Sequence, residues 1–154
     1  DVPPGEVDLR LTVEGDGTGT LDVEDREIAI PDLAAPEIML TTPKVWLARN
    51  AREFNALTAG AMPPPTARRD FRRTDRLLIH FDAFAPGVVA PSVSAQLLNQ
   101  QGGKMSDVSV TVGPPFSIDF PLAPYAAGQY LLQITASAEG QKSVTELLAF
   151  RLGS

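Results

Sequence analysis

His80 is the only histidine in the 154-residue chain, and its imidazole is the side chain best suited to proton transfer or metal binding near neutral pH. Asp82 lies two residues further on, a spacing that puts both side chains on one face of a strand. Catalysis would also need a nucleophile or a second acid or base, and a metal site would need further imidazoles or carboxylates. The sequence supplies no such partner beside His80. We therefore interpret it as a polar residue on the solvent face of a strand.

Asp107, Ser109 and Thr111 mimic the Asp-x-Ser-x-Ser/Thr motif with which adhesion domains bind magnesium. In that motif the residues lie in a loop after a buried parallel strand, where three oxygens converge on one ion. The alternating valines here predict an extended strand, along which neighbours on one face are about 6.6–7 Å apart. That spacing is too wide for a shared Mg²⁺ at about 2.1 Å from each oxygen. We expect no metal at these residues.

A second acidic segment could hold calcium, as loops between β modules sometimes do. Its carboxylates are those of Asp16, Asp22, Glu24 and Asp25. The segment lacks the fixed ligand spacing of a calcium-binding loop. A solvated hairpin tip is therefore the preferred interpretation, with calcium binding as the alternative.

The densest cluster of charge lies in residues 67–76. It comprises the arginines Arg68, Arg69, Arg72, Arg73 and Arg76, interleaved with the carboxylates of Asp70 and Asp75. Phe71 is the only aromatic residue among them, which does not make a stacking surface for nucleic acid. The cluster either binds an acidic partner or forms a loop that enters a strand, with its arginines paired to nearby carboxylates.

The overall composition excludes several classes of function. The chain has no cysteine, which rules out disulfides, thiol catalysis and cysteine-ligated metals. The net charge of −6 disfavours non-specific binding to nucleic acid. No apolar run approaches the roughly 18–20 residues that a membrane helix needs. Phosphate-binding loops and dinucleotide fingerprints are also missing from the sequence. We therefore expect no enzyme activity, no cofactor, no nucleic-acid binding and no membrane insertion.

Strand patterns recur every ten to fifteen residues along most of the chain, separated by glycine and proline. Leu77, Ile79 and Phe81 alternate with polar and apolar neighbours, and the same pattern continues in residues 92–99, 104–112, 116–120 and 128–136. Such spacing predicts an antiparallel β-sandwich of about seven strands over residues 36–154. One short helix is expected over residues 51–58, with Asn50 as its N-cap.

Residues 1–35 are predicted to form an additional β-hairpin. Their sequence PPGEVDLRLTV aligns with AAGQYLLQITA near the C-terminus at a constant offset, which places Gly5 on Gly128 and Leu9 on Leu132. The preferred interpretation is a repeat, in which residues 1–35 are the end of a preceding, similar module. The alternative makes them the first two strands of the same sandwich.

Several strings resemble the C-terminal tail of large bacterial proteins that carry an upstream von Willebrand factor A (VWA) domain. They are REIAIPDL, IMLTTPKVWLAR, DFRRTDRLLIHFDAFAPG, VSAQLLNQQGGKMSDVSV and LAPYAAGQYLLQITA. The resemblance begins at about Arg26 and implies an exported protein with sandwich repeats of immunoglobulin or fibronectin III type. Leu122, Gly128 and Tyr130 are similar to the corner before strand F of such sandwiches, where a tyrosine hydroxyl bonds back to the backbone. The VWA domain and its metal motif lie outside these residues.

The resemblance and the composition together predict a non-catalytic module of an exported multidomain protein, located in the periplasm, at the cell surface or outside the cell. It would act as a spacer or bind other domains of the same chain or another protein, through its sheet faces, an edge strand or the Arg68–Arg76 loop. Trp46, the only tryptophan, could lie at a module junction, in the core or at a ligand site. The alternative function is carbohydrate binding, for which Trp46 and Tyr125 are candidate platform residues.

Overall fold

The computed structural model describes residues 3–17, 19–30, 32, 37–85 and 91–153. The chain divides into two compact units, residues 1–35 and residues 36–154. No helix in the part of the chain that the structure describes has the length and apolar character needed to cross a membrane. The turn-rich sequence APGVVAP predicts a loop at residues 85–91, most of which lies outside the described residues.

The first unit is an antiparallel hairpin of β1 (Gly5–Glu14) and β2 (Thr20–Ile30). Gly5 faces Ile30 at the open end, and Val13 faces Asp22 near the tip. Alternation puts Val7, Leu9, Leu11 and Val13 on one face, together with Ile28 and Ile30. The predicted hairpin is present, and most of these apolar side chains are exposed.

The second unit is built on two packed sheets, and the prediction of an all-β sandwich is confirmed. The three-stranded sheet has the order β10-β6-β4, with β4 at Lys44–Ala48, β6 at Arg76–Phe81 and β10 at Phe116–Pro121. The five-stranded sheet has the order β5-β12-β11-β8-β9. Its strands are β5 (Asp70–Arg72), β8 (Ser92–Asn99), β9 (Lys104–Val108), β11 (Gly128–Ser137) and β12 (Val144–Gly153). The two-residue strands β3 (Met39–Leu40) and β7 (Ala83–Phe84) pair separately.

The core lies between the two sheets and is formed by alternate residues of each strand. From the three-stranded sheet come Val45, Leu77, Ile79, Phe81, Phe116, Ile118 and Phe120, and from the five-stranded sheet Ala95, Leu97, Tyr130, Leu132, Ile134, Leu148, Phe150 and Leu152. Each fully buried leucine or isoleucine contributes about 1.5–3 kcal/mol through the hydrophobic effect. The period-two pattern seen in the sequence is therefore the pattern of the core.

Helix α1 (Ala51–Thr58) forms where it was predicted, and it packs on the outer side of the three-stranded sheet. The side chain of Asn50 accepts a hydrogen bond from the Glu53 amide at 2.9 Å, which caps the helix. Leu57 is buried against the outward-facing residues of the sheet, in a small cluster with Trp46, Ala48 and Leu78. This cover buries the outward-facing Leu78 of the middle strand β6 next to the inward-facing Leu77, so the sequence of β6 does not alternate cleanly.

Two features of the topology differ from the predicted antiparallel arrangement. Strand β5 pairs with β12 in parallel, with Asp70 opposite Arg151. The continuous strand predicted over residues 104–112 is wrong, because β9 ends at Val108. Thr111 then forms an isolated bridge with Ser117 of the other sheet, and Val112 is exposed. The valine alternation therefore spans a crossover between the sheets.

Candidate functional site

His80 lies on the outward face of β6 beside Trp46, with their ring centroids 5.1 Å apart. Partial burial lowers the pKa of His80, and the charge of Asp82 acts in the opposite direction. Both residues line a pocket of about 360 Å³ together with Lys44. Within the described residues, no group of three or more histidine, aspartate or glutamate side chains could hold a metal ion. The geometry shows a solvated pocket with one imidazole.

Asp107, Ser109 and Thr111 do not converge. Asp107 forms an ion pair with Lys104, with 2.7 Å between Nζ and Oδ1. Thr111 lies beyond the end of β9, where its amide donates to the carbonyl of Ser117. These three residues were predicted to lie along one continuous strand. Instead, the chain leaves β9 after Val108 and crosses to the other sheet at Thr111.

Two of the acidic residues of the hairpin form ion pairs with neighbouring arginines. Asp25 lies 3.6 Å from Arg10 on the paired strand, and Glu24 pairs with Arg26 at 2.7 Å. Asp22 accepts a hydrogen bond from the amide of Val23. These contacts describe a solvated strand pair with charges of both signs.

Two of the five arginines of residues 67–76 lie on strands, and these strands belong to different sheets. Arg72 belongs to β5, whereas Arg76 begins β6 and forms a two-point pair with Asp119, one bond of which is 2.6 Å long. The hydrogen bond to Asp119 raises the pKa of Arg76. The guanidinium of Arg76 also stacks on Phe54, 3.8 Å from the ring centroid. Arg76 is thus committed to contacts within the sandwich.

The other arginines bond mainly to backbone. Arg73 donates to the carbonyl of Ala123 at 2.9 Å. Arg69 donates to the carbonyl of Arg68 at 2.8 Å, and the amide of Arg68 donates to the hydroxyl of Thr66. The cluster therefore does not form one convergent anion site in the structure.

Asp75, between these arginines, is the one buried charged residue among those described. Its carboxylate accepts a hydrogen bond from the Arg72 amide at 2.8 Å, and its carbonyl accepts one from the amide of Leu122. It closes the turn between β5 and β6 and ties that turn to the residue after β10. The sequence analysis treated Asp75 only as part of the charge balance.

Trp46 is buried, with 7% of its surface exposed. Its indole nitrogen donates to the carbonyl of Pro63 at 2.6 Å, so the proline-rich segment covers it. Of the interpretations considered, packing in a core describes its position, in the small cluster beneath α1. Its assignment to an interaction surface needs correction, because a buried ring does not present a flat face to a sugar or a protein partner.

The corner before β11 is organised by Tyr130. Its hydroxyl donates to the carbonyl of Ala126 at 2.8 Å. Leu122 is fully buried in the main core, and a Cβ added at Gly128 would lie 3.6 Å from the Tyr130 ring, an ordinary contact distance. The residues form a structural latch, and steric space alone does not require glycine at position 128.

A different surface stands out on the outer side of the five-stranded sheet. Its side chains alternate with the core residues of β8, β11 and β12, none of them is charged, and all but the buried Leu98 are at least partly exposed. We call it the neutral face, formed by Ser94, Gln96, Leu98, Leu131, Gln133, Thr135, Thr145, Leu147 and Ala149. On a chain with a net charge of −6, this three-strand area without charge is the most distinctive surface.

The strand register places the side chains of the neutral face in rows. Leu131 lies between Leu98 and Ala149, and Gln133 lies between Gln96 and Leu147. Gln96 donates to Gln133 through their side-chain amides at 2.8 Å. The first row is apolar, and in the second row a hydrogen bond holds the side-chain amides of Gln96 and Gln133 in place. The neutral face is therefore preorganised, and binding to it would desolvate none of its own side-chain charges.

Paired charges border the neutral face on both sides. Arg151 and Asp70 form an ion pair with Nε and Oδ1 2.6 Å apart, and Lys104 pairs with Asp107 on the opposite edge. A pocket of about 300 Å³ opens at the Arg151 end and includes Leu131 in its lining. Leu147 is 57% exposed at the middle of β12. The neutral face thus combines one apolar row with a row of hydrogen-bonded amides, and paired charges lie at its borders.

The neutral face could not be predicted from the sequence because its members come from three strands. Leu131 and Leu147 are sixteen positions apart in the chain and only the register makes them neighbours. A signal was present, since the alternate, non-core positions are uncharged throughout β11 and from Thr145 to Ala149 in β12. Comparison with known proteins adds no relative, because no protein-family model and no curated protein sequence matches the chain.

Proposed function

We propose that this protein is a non-catalytic β-sandwich module that binds another protein, or another domain of its own chain, through the neutral face. The observation that carries the proposal is the uncharged, partly apolar outer surface of the five-stranded sheet, bordered by charges that are already paired. Binding there would bury Leu131 and Leu147 without desolvating an unpaired charge. A spacer role is compatible with the same surface, because neighbouring modules would also contact one another through it.

The strand order supports a sandwich of immunoglobulin type. Strands β4, β6 and β10 correspond in order to A, B and E, and β8, β11 and β12 to C, F and G. The hydrogen bond of Tyr130 to a carbonyl four residues upstream is the bond of a tyrosine corner. The protein departs from antibody domains in lacking cysteine, and its only tryptophan lies on β4.

The context of the module rests on the sequence resemblance described above. The strings around residues 38–49 and 70–87 support membership of an exported protein with an upstream VWA domain. That context would place the module in the periplasm, at the cell surface or outside the cell. It also offers a source of partners, since other domains would lie on the same polypeptide.

Site-specific photo-crosslinking in the native organism tests the proposed surface. A photoreactive residue at Leu147, which is 57% exposed on the neutral face, should give a discrete crosslinked product. The same residue at Val112, which is 78% exposed outside that face, serves as the matched control. A product at both positions, or at neither, would contradict binding through the neutral face.

A further inference from the structure

The N-terminal hairpin has the register of the hairpin that closes the sandwich. In β1 and β2, Gly5 faces Ile30 and Val7 faces Ile28. In β11 and β12, Gly128 faces Leu152 and Tyr130 faces Phe150. The cross-strand pairs therefore correspond, so the similarity of the two stretches extends from sequence to strand pairing.

The correspondence continues toward the tips of both hairpins. Leu11 faces Glu24 in the first hairpin, and Ile134 faces Glu146 in the second, so that a glutamate occupies the same place in both. The differences lie on the second strand, where Arg26 stands in the place of Leu148 and Asp22 in the place of Val144. One face of each hairpin thus carries the same apolar column on its first strand.

The two apolar columns differ in their surroundings. In the closing hairpin, Leu132 and Ile134 are fully buried against the opposite sheet. In the N-terminal hairpin, Leu9 and Leu11 stand at the same places, and Leu11 is 44% exposed. The opposite face of this hairpin carries charged residues such as Asp8 and Glu27, whereas on the first face the charged side chains are confined to β2. The apolar column of β1 is therefore the part of the hairpin that is suited to covering a core.

We propose that residues 5–30 bind the inner, apolar surface of a second β-sandwich that lacks its last two strands, and complete its core. The partner has the chemistry of residues 36–127 of this chain, an open sandwich whose core residues would otherwise face water. We choose this partner because the registers of the two hairpins match. The apolar side chains of β1 therefore occupy the positions that the core-facing side chains of β11 occupy in the sandwich. The neutral face takes no part in this binding. A negative result in the tandem protein would therefore leave the proposed binding through the neutral face untouched, and the reverse also holds.

A tandem protein provides the test, with residues 36–127 of this chain placed directly before residues 5–154. Gly5 then follows position 127 as Gly128 does, and the probe is the protein's own open sandwich. Hydrogen exchange of the amides in residues 5–30 should become at least about tenfold slower than in the 154-residue chain, because burial and packing protect a strand pair from opening. A second tandem with Arg26→Leu removes the long charged side chain from the apolar face and should show the same or greater protection.

Two neighbouring substitutions in the tandem separate binding by this face from general effects. Leu11→Asp, on the apolar face, should return the exchange of residues 5–30 to that of the 154-residue chain. Thr12→Asp, one position on and on the opposite face, should leave the protection in place. Unchanged exchange in both the original and the Arg26→Leu tandems would overturn the proposal, as would equal effects of Leu11→Asp and Thr12→Asp.

Discussion

The hydroxyl of Tyr130 donates a hydrogen bond to the carbonyl oxygen of Ala126 at 2.8 Å, across the corner that leads into β11. Because the Tyr130 side chain is largely buried, Tyr130→Phe should lower the free energy of unfolding by about 1 kcal/mol. Urea denaturation followed by tryptophan fluorescence measures the difference. Tyr125→Phe is the control, since no hydrogen bond from the Tyr125 hydroxyl is found among the described residues. Equal stability of Tyr130→Phe and the wild type would contradict a stabilising role for the hydrogen bond between Tyr130 and Ala126.

Asp75 provides a second test of the same region, where the β5–β6 turn meets the residue after β10. Asp75→Ala leaves the Arg72 amide without its partner in a buried turn, which should cost about 1–3 kcal/mol of stability. Asp70→Ala removes an exposed ion pair with Arg151, and it should cost at most about 1 kcal/mol. Chemical denaturation of the two variants compares them directly. A larger loss for Asp70→Ala would be inconsistent with the geometry of the turn.

The stability of the sandwich should depend on the protonation of His80. Burial lowers the pKa of His80 in the folded state, so the unfolded chain binds the proton more readily. The stabilising contribution of the neutral imidazole is therefore complete above the unfolded pKa of about 6.5, and it is lost as the pH falls through that value toward the lower folded pKa. The difference in unfolding free energy between wild type and His80→Gln, measured from pH 8 to pH 5, should move against the wild type at lower pH. A constant difference would show that the pKa of His80 is the same in both states.

The predictable part of this fold is the part that period-two alternation specifies. Ile79, Ile118 and Ile134 follow that pattern and lie in the core, and Asn50 is a local capping signal whose helix forms where expected. The pattern failed between Asp107 and Val112, because a chain that crosses from one sheet to the other can keep its valines at alternate positions. Alternation reports local exposure and does not report which sheet a residue joins.

Contacts across the chain were the part that the sequence could not supply. The pairing of Arg76 with Asp119 joins residues 43 positions apart, and the burial of Trp46 depends on the carbonyl of Pro63 and on helix α1. The arginines were proposed as an interaction surface because their charge is dense in the sequence. In the structure, however, Arg76 pairs with Asp119 and stacks on Phe54 within the sandwich. The neutral face carries the opposite signal, a lack of charge, which becomes visible only when the strands are in register.

The affinity of the photo-crosslinked partner for two charge-bearing variants tests the central claim most directly. Leu147→Glu places a carboxylate in the middle of the neutral face and should weaken binding at least about tenfold, equivalent to about 1.4 kcal/mol. Val112→Glu adds the same charge at an exposed position elsewhere and should bind as the wild type does. Titration calorimetry of the purified proteins gives both dissociation constants, and unfolding curves show that both variants are folded. Undiminished binding of Leu147→Glu, or an equal loss for both variants, would contradict the assignment of the neutral face as the binding surface.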